Sequence, residues 1–248
     1  MIIPPKIARL PVIWELRKLT LYFYFTIIAV IKFKKISLIW DSFIYFPVWW
    51  KYFRKNNEPL KNDHPWIAFK AERFLRKILQ KNMFVFEYGS GSSTLYFSRR
   101  VAKVFSVEHH QGWFEQLRQI LDQQAIPNVD SRLIEPEILN IKHTAGYLSS
   151  LPLYLNNTFE TYVKSIDVFP DGYFDLIMID GRARTDCIVH AKNKIKQGGY
   201  LVVDNSERAH YFAGNDFLWD AKEWETRHFV GSTPYSFACS RTSFFKKI

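Results

Sequence analysis

Cysteine is scarce in this chain of 248 residues, which contains only Cys187 and Cys239. Two isolated cysteines supply neither the ligand set of a structural zinc site nor the disulfide framework of a small secreted domain. The sequence therefore predicts a protein of a reducing compartment, and we expect it to be cytoplasmic.

Long hydrophobic runs are lacking as well. The most hydrophobic segment, Leu19–Ile31, would reach only about 20 Å as a helix, whereas a hydrocarbon core is roughly 30 Å thick. No small-residue cleavage site follows before Lys32, which argues against a secretory signal. We therefore do not expect this segment to cross a membrane.

Acidic residues are outnumbered, with 24 Asp and Glu against 34 Lys and Arg, for a net charge of +10. Residues 1–63 carry 11 of the cations and 4 of the acids, so the basic character belongs to an N-terminal extension. We separate this extension from a body, residues 64–248, at the polar stretch Asn56–Asp63. Its mixture of apolar, aromatic and cationic side chains favours a segment lying peripherally in the cytoplasmic interface of a membrane. A helical cap packed on the body is an open alternative, and nucleic acid is the least favoured partner.

Glycine is used sparingly, yet two of the ten glycines flank a serine in Phe-Val-Phe-Glu-Tyr-Gly-Ser-Gly-Ser-Ser-Thr, residues 84–94. An apolar run that passes through an acid into such a turn predicts a buried strand, a close approach of backbone to a ligand, and a helix start. A dinucleotide fingerprint would have a third glycine at Thr94, and a carboxylate at Glu87 suits a cationic ligand better than a pyrophosphate. The next predicted strand ends in Glu108, which is placed to accept hydrogen bonds from both ribose hydroxyls. Together these features predict a nucleoside-type cofactor site.

Strands and helices alternate through the body, which predicts an α/β fold with a doubly wound, mostly parallel, seven-stranded Rossmann-like sheet. The C-terminal tail predicts an antiparallel pair, and the N-terminal extension is expected to be helical. Gly198-Gly199 is predicted to cap a helix over 185–195. The predicted strands cover 84–88, 103–108, 129–134, 174–180, 200–204, 224–230 and 235–245. Right-handed crossovers bring the carboxyl ends of the parallel strands to one edge, so the acids at those ends are expected to form a site.

The pattern Glu-x-Gly-x-Gly-x-x-Thr, followed by a strand that ends in Glu, resembles the class I S-adenosylmethionine-dependent methyltransferases. The resemblance runs from about Pro65 to the C-terminus and implies S-adenosylmethionine as cofactor. The residues that it assigns to the cofactor are Glu87, Gly89, Ser90, Gly91, Thr94, Glu108 and Asp180. An NAD(P)-binding Rossmann oxidoreductase and a non-catalytic, membrane-associated scaffold are the alternatives.

Asp180 with Asp204-Asn205 is similar to the metal ligands of the catechol and caffeoyl-CoA O-methyltransferases, which implies a divalent cation such as Mg²⁺ on these three residues. The chain departs from that family because the expected lysine after the first Asp is absent and Arg182 and Arg184 stand nearby. Without a metal, Asp180 would border the cofactor and Asp204-Asn205 would cap a following helix.

The acceptor is predicted to be a hydroxyl of a small molecule, such as a sugar or a lipid-linked intermediate. The Asp/Asn-Pro-Pro-aromatic tetrad of amino-group methylation and the Pro-Cys of cytosine methylation are both missing. Asp180, Asp204 and His210 are the candidate catalytic residues, with His210 as the preferred general base. Arg182, Arg184 and Arg208 are candidates for holding a carboxylate or phosphate of the acceptor.

Overall fold

The structure is a computed structural model that describes residues 11–54, 59–139 and 146–248. The first ten residues of the extension and residues 55–58 of the expected linker lie outside the described residues. The helices are α1 (Pro11–Phe33), α2 (Leu38–Arg54), α3 (Phe69–Ile78), α4 (Ser92–Ser98), α5 (Gln111–Gln123), α6 (Glu160–Lys164) and α7 (Arg184–Ala191). The strands are β1 (Phe84–Tyr88), β2 (Lys103–Glu108), β3 (Val129–Leu133), β4 (Glu137–Ile138), β5 (Asn157–Thr158), β6 (Phe174–Ile179), β7 (Ile195–Val203), β8 (Trp224–Ser232) and β9 (Cys239–Lys247).

Seven strands form one sheet in the order β3-β2-β1-β6-β7-β9-β8. The first five are parallel, and β9 lies antiparallel between β7 and β8. The order reverses direction between β1 and β6, which is the switch point at which open α/β sheets bind ligands beyond the carboxyl ends of their strands. The predicted fold class, including the antiparallel C-terminal pair, is confirmed.

The register of the sheet aligns the carboxyl ends of its central strands. Tyr88 at the end of β1 pairs with Val107 of β2 and Ile179 of β6, and Ile179 pairs with Val203 at the end of β7. The residues that follow these strands therefore lie along one edge. Because successive side chains of a strand point to opposite faces, the register also divides the core into two layers.

Both faces of the sheet are covered, which is why its central strands are mainly apolar instead of alternating. On one face Phe86, Ile177 and Leu201 pack in a cluster with side chains of α6 and α7. On the other, Val85 and Val202 pack in a cluster with side chains of α3 and α4. The sheet is thus fixed from both sides, and its carboxyl edge is held in place.

The expected cap at Gly198-Gly199 is wrong. The helix is α7, which ends at Ala191, and the two glycines lie inside β7, next to an irregularity in its pairing with β6. Gly198 has a φ of +77°, and a Cβ on Gly199 would lie 2.9 Å from the carbonyl oxygen of Asp175. A bulge within a strand needs the same backbone freedom as a helix cap, so the glycine pair could not distinguish them.

The extension forms an antiparallel pair of helices, α1 and α2, which we call the N-terminal hairpin. It packs on the body through Trp49 and Tyr22, both fully buried. The Trp49 Nε1 donates to the Ser236 carbonyl at 2.7 Å, and the Tyr22 and Ser232 hydroxyl oxygens lie 3.0 Å apart. The hairpin is therefore a cap packed on the β8–β9 end of the sheet. Among the described residues, no helix is long and apolar enough to span a bilayer.

Candidate cofactor and acceptor site

The glycine turn after β1 is shaped by its own backbone. Gly89 has a φ of +93°, and a Cβ there would lie 2.8 Å from the backbone nitrogen of Gly181, which follows β6. Gly89 is therefore required because two strand ends approach each other closely, apart from any ligand. Gly91 has an extended φ of 172°, and the nearest atoms to a Cβ there belong to Trp113, at 3.6 Å.

Glu87 lies beneath the turn and is completely buried. Its Oε2 accepts hydrogen bonds from the Thr94 hydroxyl at 2.5 Å and the Ser106 hydroxyl at 2.8 Å, and the Thr94 oxygen accepts from the Gly91 amide at 2.9 Å. The other oxygen, Oε1, is buried without a hydrogen-bond partner. Burial raises the pKa of Glu87 from 4.5 to about 7, although the neighbouring hydroxyls oppose the shift. Glu87 thus supports the turn from below.

Glu108 is held by backbone amides at the end of β2. Its Oε2 accepts from the Ser90 amide at 3.0 Å, and its Oε1 accepts from the amides of His109 and His110, each at 2.8 Å. These bonds fix the carboxylate in one orientation and join the end of β2 to the glycine turn. The carboxylate lines a cavity, as the expected ribose-binding role requires.

The first cavity, of about 590 Å³, lies beyond the carboxyl ends of β1, β2 and β6. Gly89, Ser90, Glu108 and Asp180 of the predicted cofactor set line it. Glu87, Gly91 and Thr94 do not line it; their hydrogen bonds to one another instead support the glycine turn that does. Aromatic and apolar side chains form much of the wall, namely Trp66, Trp113, Leu151, Leu153 and Tyr154, beside the polar His109, His110, Gln116 and Arg182. Apolar and aromatic walls with a fixed carboxylate suit a nucleoside, since the base can lie on the former and the ribose hydroxyls can donate to the latter.

A second cavity, of about 460 Å³, lies beyond β6 and β7. Its lining is mostly polar and charged and includes Asp204, Asn205, Glu207 and Arg208, together with Thr233, Ser236 and Ser240 from the β8–β9 end. Trp66, Asp180 and Arg182 line both cavities. A ligand in the first cavity and a ligand in the second would therefore meet at these three residues.

Arg184 joins the ends of β6 and β7 from inside the protein. Its Nη1 donates to the Asp204 carbonyl at 2.5 Å, and its Nη2 donates to the Asp180 carbonyl at 2.6 Å and to the Asp180 carboxylate at 2.8 Å. Only 6% of its side chain is exposed. The guanidinium is thus committed to the scaffold and is not free to hold an acceptor.

The predicted divalent-cation site does not fit this arrangement. The guanidinium of Arg184 supplies a permanent positive charge beside Asp180, and the Asp204 carboxylate is buried and accepts from the Thr242 hydroxyl at 2.6 Å. In the described part of the chain, no group of three or more His, Cys, Asp or Glu could hold a metal ion. Arg184 thus supplies the positive charge beside the Asp180 carboxylate, and it contacts Asp204 through the backbone carbonyl.

The two acids after β6 and β7 are both shifted toward their protonated forms. Burial raises the pKa of Asp180, and Arg184 and Arg182 partly oppose the shift. Burial and the nearby Asp180 raise the pKa of Asp204 to about 8. Of the pair, Asp180 keeps 26% of its side chain exposed where the cavities meet, whereas Asp204 borders the second cavity but is almost fully buried. Asp180 is therefore the acid available to a ligand.

The other predicted residues are dispersed. His210 is exposed and lines a small pocket of about 70 Å³, and it belongs to the lining of neither larger cavity. Arg208 lies in the second cavity, where its Nη1 donates to the Tyr211 hydroxyl at 2.7 Å. Arg182 lies where the cavities meet, with its Nε 3.4 Å from His109 Nε2. The catalytic role of His210 stays a prediction, but the geometry favours Asp180.

No protein-family model and no curated protein matches the chain. Solved structures do. One is a candidate methyltransferase from Streptococcus mutans in complex with S-adenosylhomocysteine, with a TM-score of 0.51 and 13% identity over 71% of this chain and 96% of that one. An rRNA methylase from Streptococcus thermophilus has a TM-score of 0.51 at 12% identity, over 72% of this chain and 95% of that one. A candidate rRNA methylase from Clostridium thermocellum has a TM-score of 0.52 at 11% identity, over 75% and 98%.

The chain has the class I methyltransferase fold. The match covers nearly the full length of the three structures and about three quarters of this chain. Identities of 11–13% establish the fold alone, so the reaction and its acceptor must be argued from the site.

Sequence reasoning missed the aromatic residues of the site. Trp113 lies in the first turn of α5, and its Nε1 donates to the Ser90 carbonyl at 2.7 Å, so it supports the glycine turn and lines the cavity. A signal existed, because a helix that follows Glu108 must begin at the same edge of the sheet. Trp66 lies in a loop and Tyr154 in a short 3₁₀ helix, Pro152–Tyr154, and neither segment has a periodicity that could have given such a signal.

Proposed function

We propose that this protein is an S-adenosylmethionine-dependent methyltransferase that acts on a hydroxyl of a small molecule, such as a sugar or a lipid-linked intermediate. One observation carries the proposal: a nucleoside-sized cavity with a fixed Glu108 opens into a polar cavity at Asp180. Two cavities that share a partly exposed carboxylate suit a transfer between two ligands.

The first cavity would hold the cofactor through Glu108, the backbone of the Gly89–Ser90 turn and the ring of Trp113. When bound, S-adenosylmethionine would supply a methyl group on a sulfonium, whose carbon an acceptor oxygen can attack with the neutral thioether as leaving group. The carboxylates at the strand ends complement a cationic ligand. Trp66 lies over both cavities and would exclude water from the point where they meet.

Asp180 would accept the proton of the acceptor hydroxyl. Its pKa is raised by burial, which makes its carboxylate a better base than an exposed aspartate. Arg184 holds the Asp180 carboxylate in place through Oδ1, so the proton is taken up by a fixed group. Arg182 and Arg208 supply positive charge in the second cavity, which favours an acceptor that also carries a phosphate or carboxylate.

The alternatives lose support. The antiparallel β9 between β7 and β8 is typical of class I methyltransferases, which speaks against a dinucleotide-dependent oxidoreductase. A non-catalytic scaffold would have no need to keep Glu108 and Asp180 oriented at one opening. An RNA acceptor is the second candidate, because two solved structures with this fold are named rRNA methylases.

The proposal is tested by calorimetry and by methyl incorporation from labelled cofactor into fractionated cell extract. We expect S-adenosylmethionine to bind, Glu108→Ala to abolish binding, and Asp180→Asn to bind cofactor but lose about 10²–10⁴-fold in rate. Glu115→Ala, at an exposed position on α5, is the matched control for Glu108. Label in RNA instead of small molecules or lipids would refute the acceptor class. Binding of NAD(H) without S-adenosylmethionine would refute the reaction.

A further inference from the structure

The N-terminal hairpin is apolar on two opposite sides. Its inner side packs on the body through Tyr22, Thr26 and Ala29 of α1 and through Leu38 and Trp49 of α2. Its outer side, which we call the outer face, is also apolar and is exposed by 38–72% per residue. The outer face consists of Leu16, Tyr24, Ile27, Ile28, Ile31, Ile36, Trp40, Phe43, Ile44 and Val48.

The outer face is a consequence of helical spacing. Residues 24, 27, 28 and 31 recur at intervals of three and four and lie opposite the buried residues 22, 26 and 29 on the same helix. Residues 40, 43, 44 and 48 do the same on α2. Because the inner sides of both helices pack on the same end of the sheet, their outer sides face in the same direction. Scattered apolar residues are normal on a surface, but large exposed ones gathered on one side of two paired helices mark a binding surface.

Positive charge surrounds the outer face. Lys34 and Lys35 lie exposed in the turn between the helices, and Lys51 is exposed on α2 beyond Val48. The acids described in the hairpin are already occupied: Glu15 accepts from Lys18 Nζ at 3.3 Å, and Asp41 accepts from Lys70 Nζ at 2.5 Å.

A groove of about 570 Å³ adjoins the outer face and shares Ile44 and Val48 with it. Its wall carries Arg73, Arg76 and Arg100, with Tyr45, Tyr52 and His64 between them. Its two acids have partners: Asp63 pairs with Arg99 at 2.5 Å, and Glu72 accepts from the Tyr96 hydroxyl at 2.9 Å and lies 3.8 Å from Arg76. Among the described carboxylates, none lies within ion-pair distance of Arg73. The groove is therefore suited to anions.

We propose that the outer face and the adjoining groove form a docking surface for an anionic phospholipid bilayer, with the apolar side chains in the interface and the arginines on lipid phosphates. Exposed aromatic and aliphatic side chains can insert into the interface of a bilayer, and neighbouring lysines and arginines can bind its anionic headgroups. A second copy of the chain would have to place the same cations against each other. Binding of this surface to a bilayer would not depend on methyl transfer.

The test is flotation of the full-length protein with vesicles of phosphatidylcholine alone or with added phosphatidylglycerol. We expect binding to the anionic vesicles, release by high salt, and weak binding to the neutral ones. Ile31→Asn with Trp40→Asn should lower the partition coefficient about a hundredfold, because two large apolar side chains leave the interface. Arg73→Gln with Arg76→Gln should lower it about thirtyfold, as should Lys34→Gln with Lys35→Gln.

Matched controls make the same changes on the body. Val168→Asn with Val189→Asn removes two exposed apolar side chains, and Arg118→Gln with Lys222→Gln removes two exposed charges. Both controls should bind vesicles as the unchanged protein does, and circular dichroism checks that each variant is folded. Equal partitioning of the protein and its outer-face variant would overturn the proposal. So would a dimer in light scattering that Ile31→Asn with Trp40→Asn dissociates, with no binding to vesicles.

Discussion

Replacement of Glu87 by glutamine should change how the stability of the protein depends on pH. Burial raises the pKa of Glu87 from 4.5 to about 7, so the folded state binds this proton more tightly than the unfolded chain does. The corresponding contribution to stability is complete below the unfolded pKa and is lost as the pH rises through the folded pKa. Between about pH 5 and pH 8, this one group should cost the protein about 2.5 kcal/mol.

Glu87→Gln has nothing to titrate, so it should remove that slope while keeping the shape of the site. Its side-chain oxygen can still accept from the Thr94 and Ser106 hydroxyls, and its amide group takes the place of the unpartnered Oε1. Relative to wild type, the variant should gain about 2.5 kcal/mol on going from pH 5 to pH 8. In a chain of this length, that corresponds to about 5–10 °C in Tm.

Thermal unfolding of both proteins at the two pH values measures the effect as a double difference, in which other titrating groups cancel. Glu115→Gln makes the same chemical change at an exposed position and should leave the difference at its wild-type size. The same slope in Glu87→Gln and wild type would refute the reasoning. Cofactor affinity provides a second readout, since support from below predicts that Glu87→Gln binds S-adenosylmethionine like wild type. A large loss of affinity would instead indicate direct contact with the cationic ligand.

The remaining predictions concern Arg184, the use of a metal, Asp180 as the base, and the N-terminal hairpin. Arg184→Met should cost about 3–5 kcal/mol in urea unfolding, because it leaves the carbonyls of Asp180 and Asp204 without their buried donor and the Asp180 carboxylate without its ion pair. Chelators should leave methyl transfer unchanged, and a loss of activity that Mg²⁺ restores would mean that a metal is used despite Arg184. The rate of wild type should fall at low pH as Asp180 takes up its proton, with the midpoint above that of an ordinary aspartate, and Asp180→Asn should abolish this limb of the profile. Trp49→Ala should destabilise the protein by about 3–5 kcal/mol and Trp40→Ala by less than about 0.5 kcal/mol, because only Trp49 is buried.

The carboxyl edge of the sheet could be predicted from the sequence because β2, β6 and β7 each end in, or directly before, an acid that follows apolar residues. Phe84–Tyr88 and Phe174–Ile179 are too uniformly apolar to be exposed strands, and parallel order follows from the helices between them. Once the order is parallel, Glu108, Asp180 and Asp204 have to share an edge. At these positions the apolar pattern of each strand and the parallel order of the sheet predict the same location for the acids.

The distinction between Arg182 and Arg184 could not be predicted, since both are arginines just after the same strand. Ala183 between them has a φ of +46°, in the left-handed region. This turn directs Arg184 inward onto the backbone of two strands and leaves Arg182 at the opening of the cavities. The choice depends on a backbone conformation that alanine adopts only under tertiary constraint, and no sequence periodicity encodes it.

The same dependence on the fold bears on the divalent-cation site predicted at Asp180, Asp204 and Asn205, which the described residues do not support. Acids at neighbouring strand ends repel one another and need a cation between them, and the sequence pattern does not say which cation. Here the cation is the guanidinium of Arg184, whose Nη2 donates a hydrogen bond to the Asp180 carboxylate at 2.8 Å. The spacing of the acids predicts that a positive charge lies beside them, but only the fold shows that Arg184 supplies it.

The hairpin has a further relation to the site, because it forms part of the support of the second cavity. Ser236 and Ala238 line that cavity, and Phe237 between them packs against Trp49 and Phe53 at ring distances of 5.7 and 4.5 Å. At the other end of the hairpin, Lys32 lies 3.4 Å from Glu207, which also lines the cavity. A bilayer docked on the outer face would therefore lie across the hairpin from these contacts, and the hairpin would connect it to the walls of the second cavity.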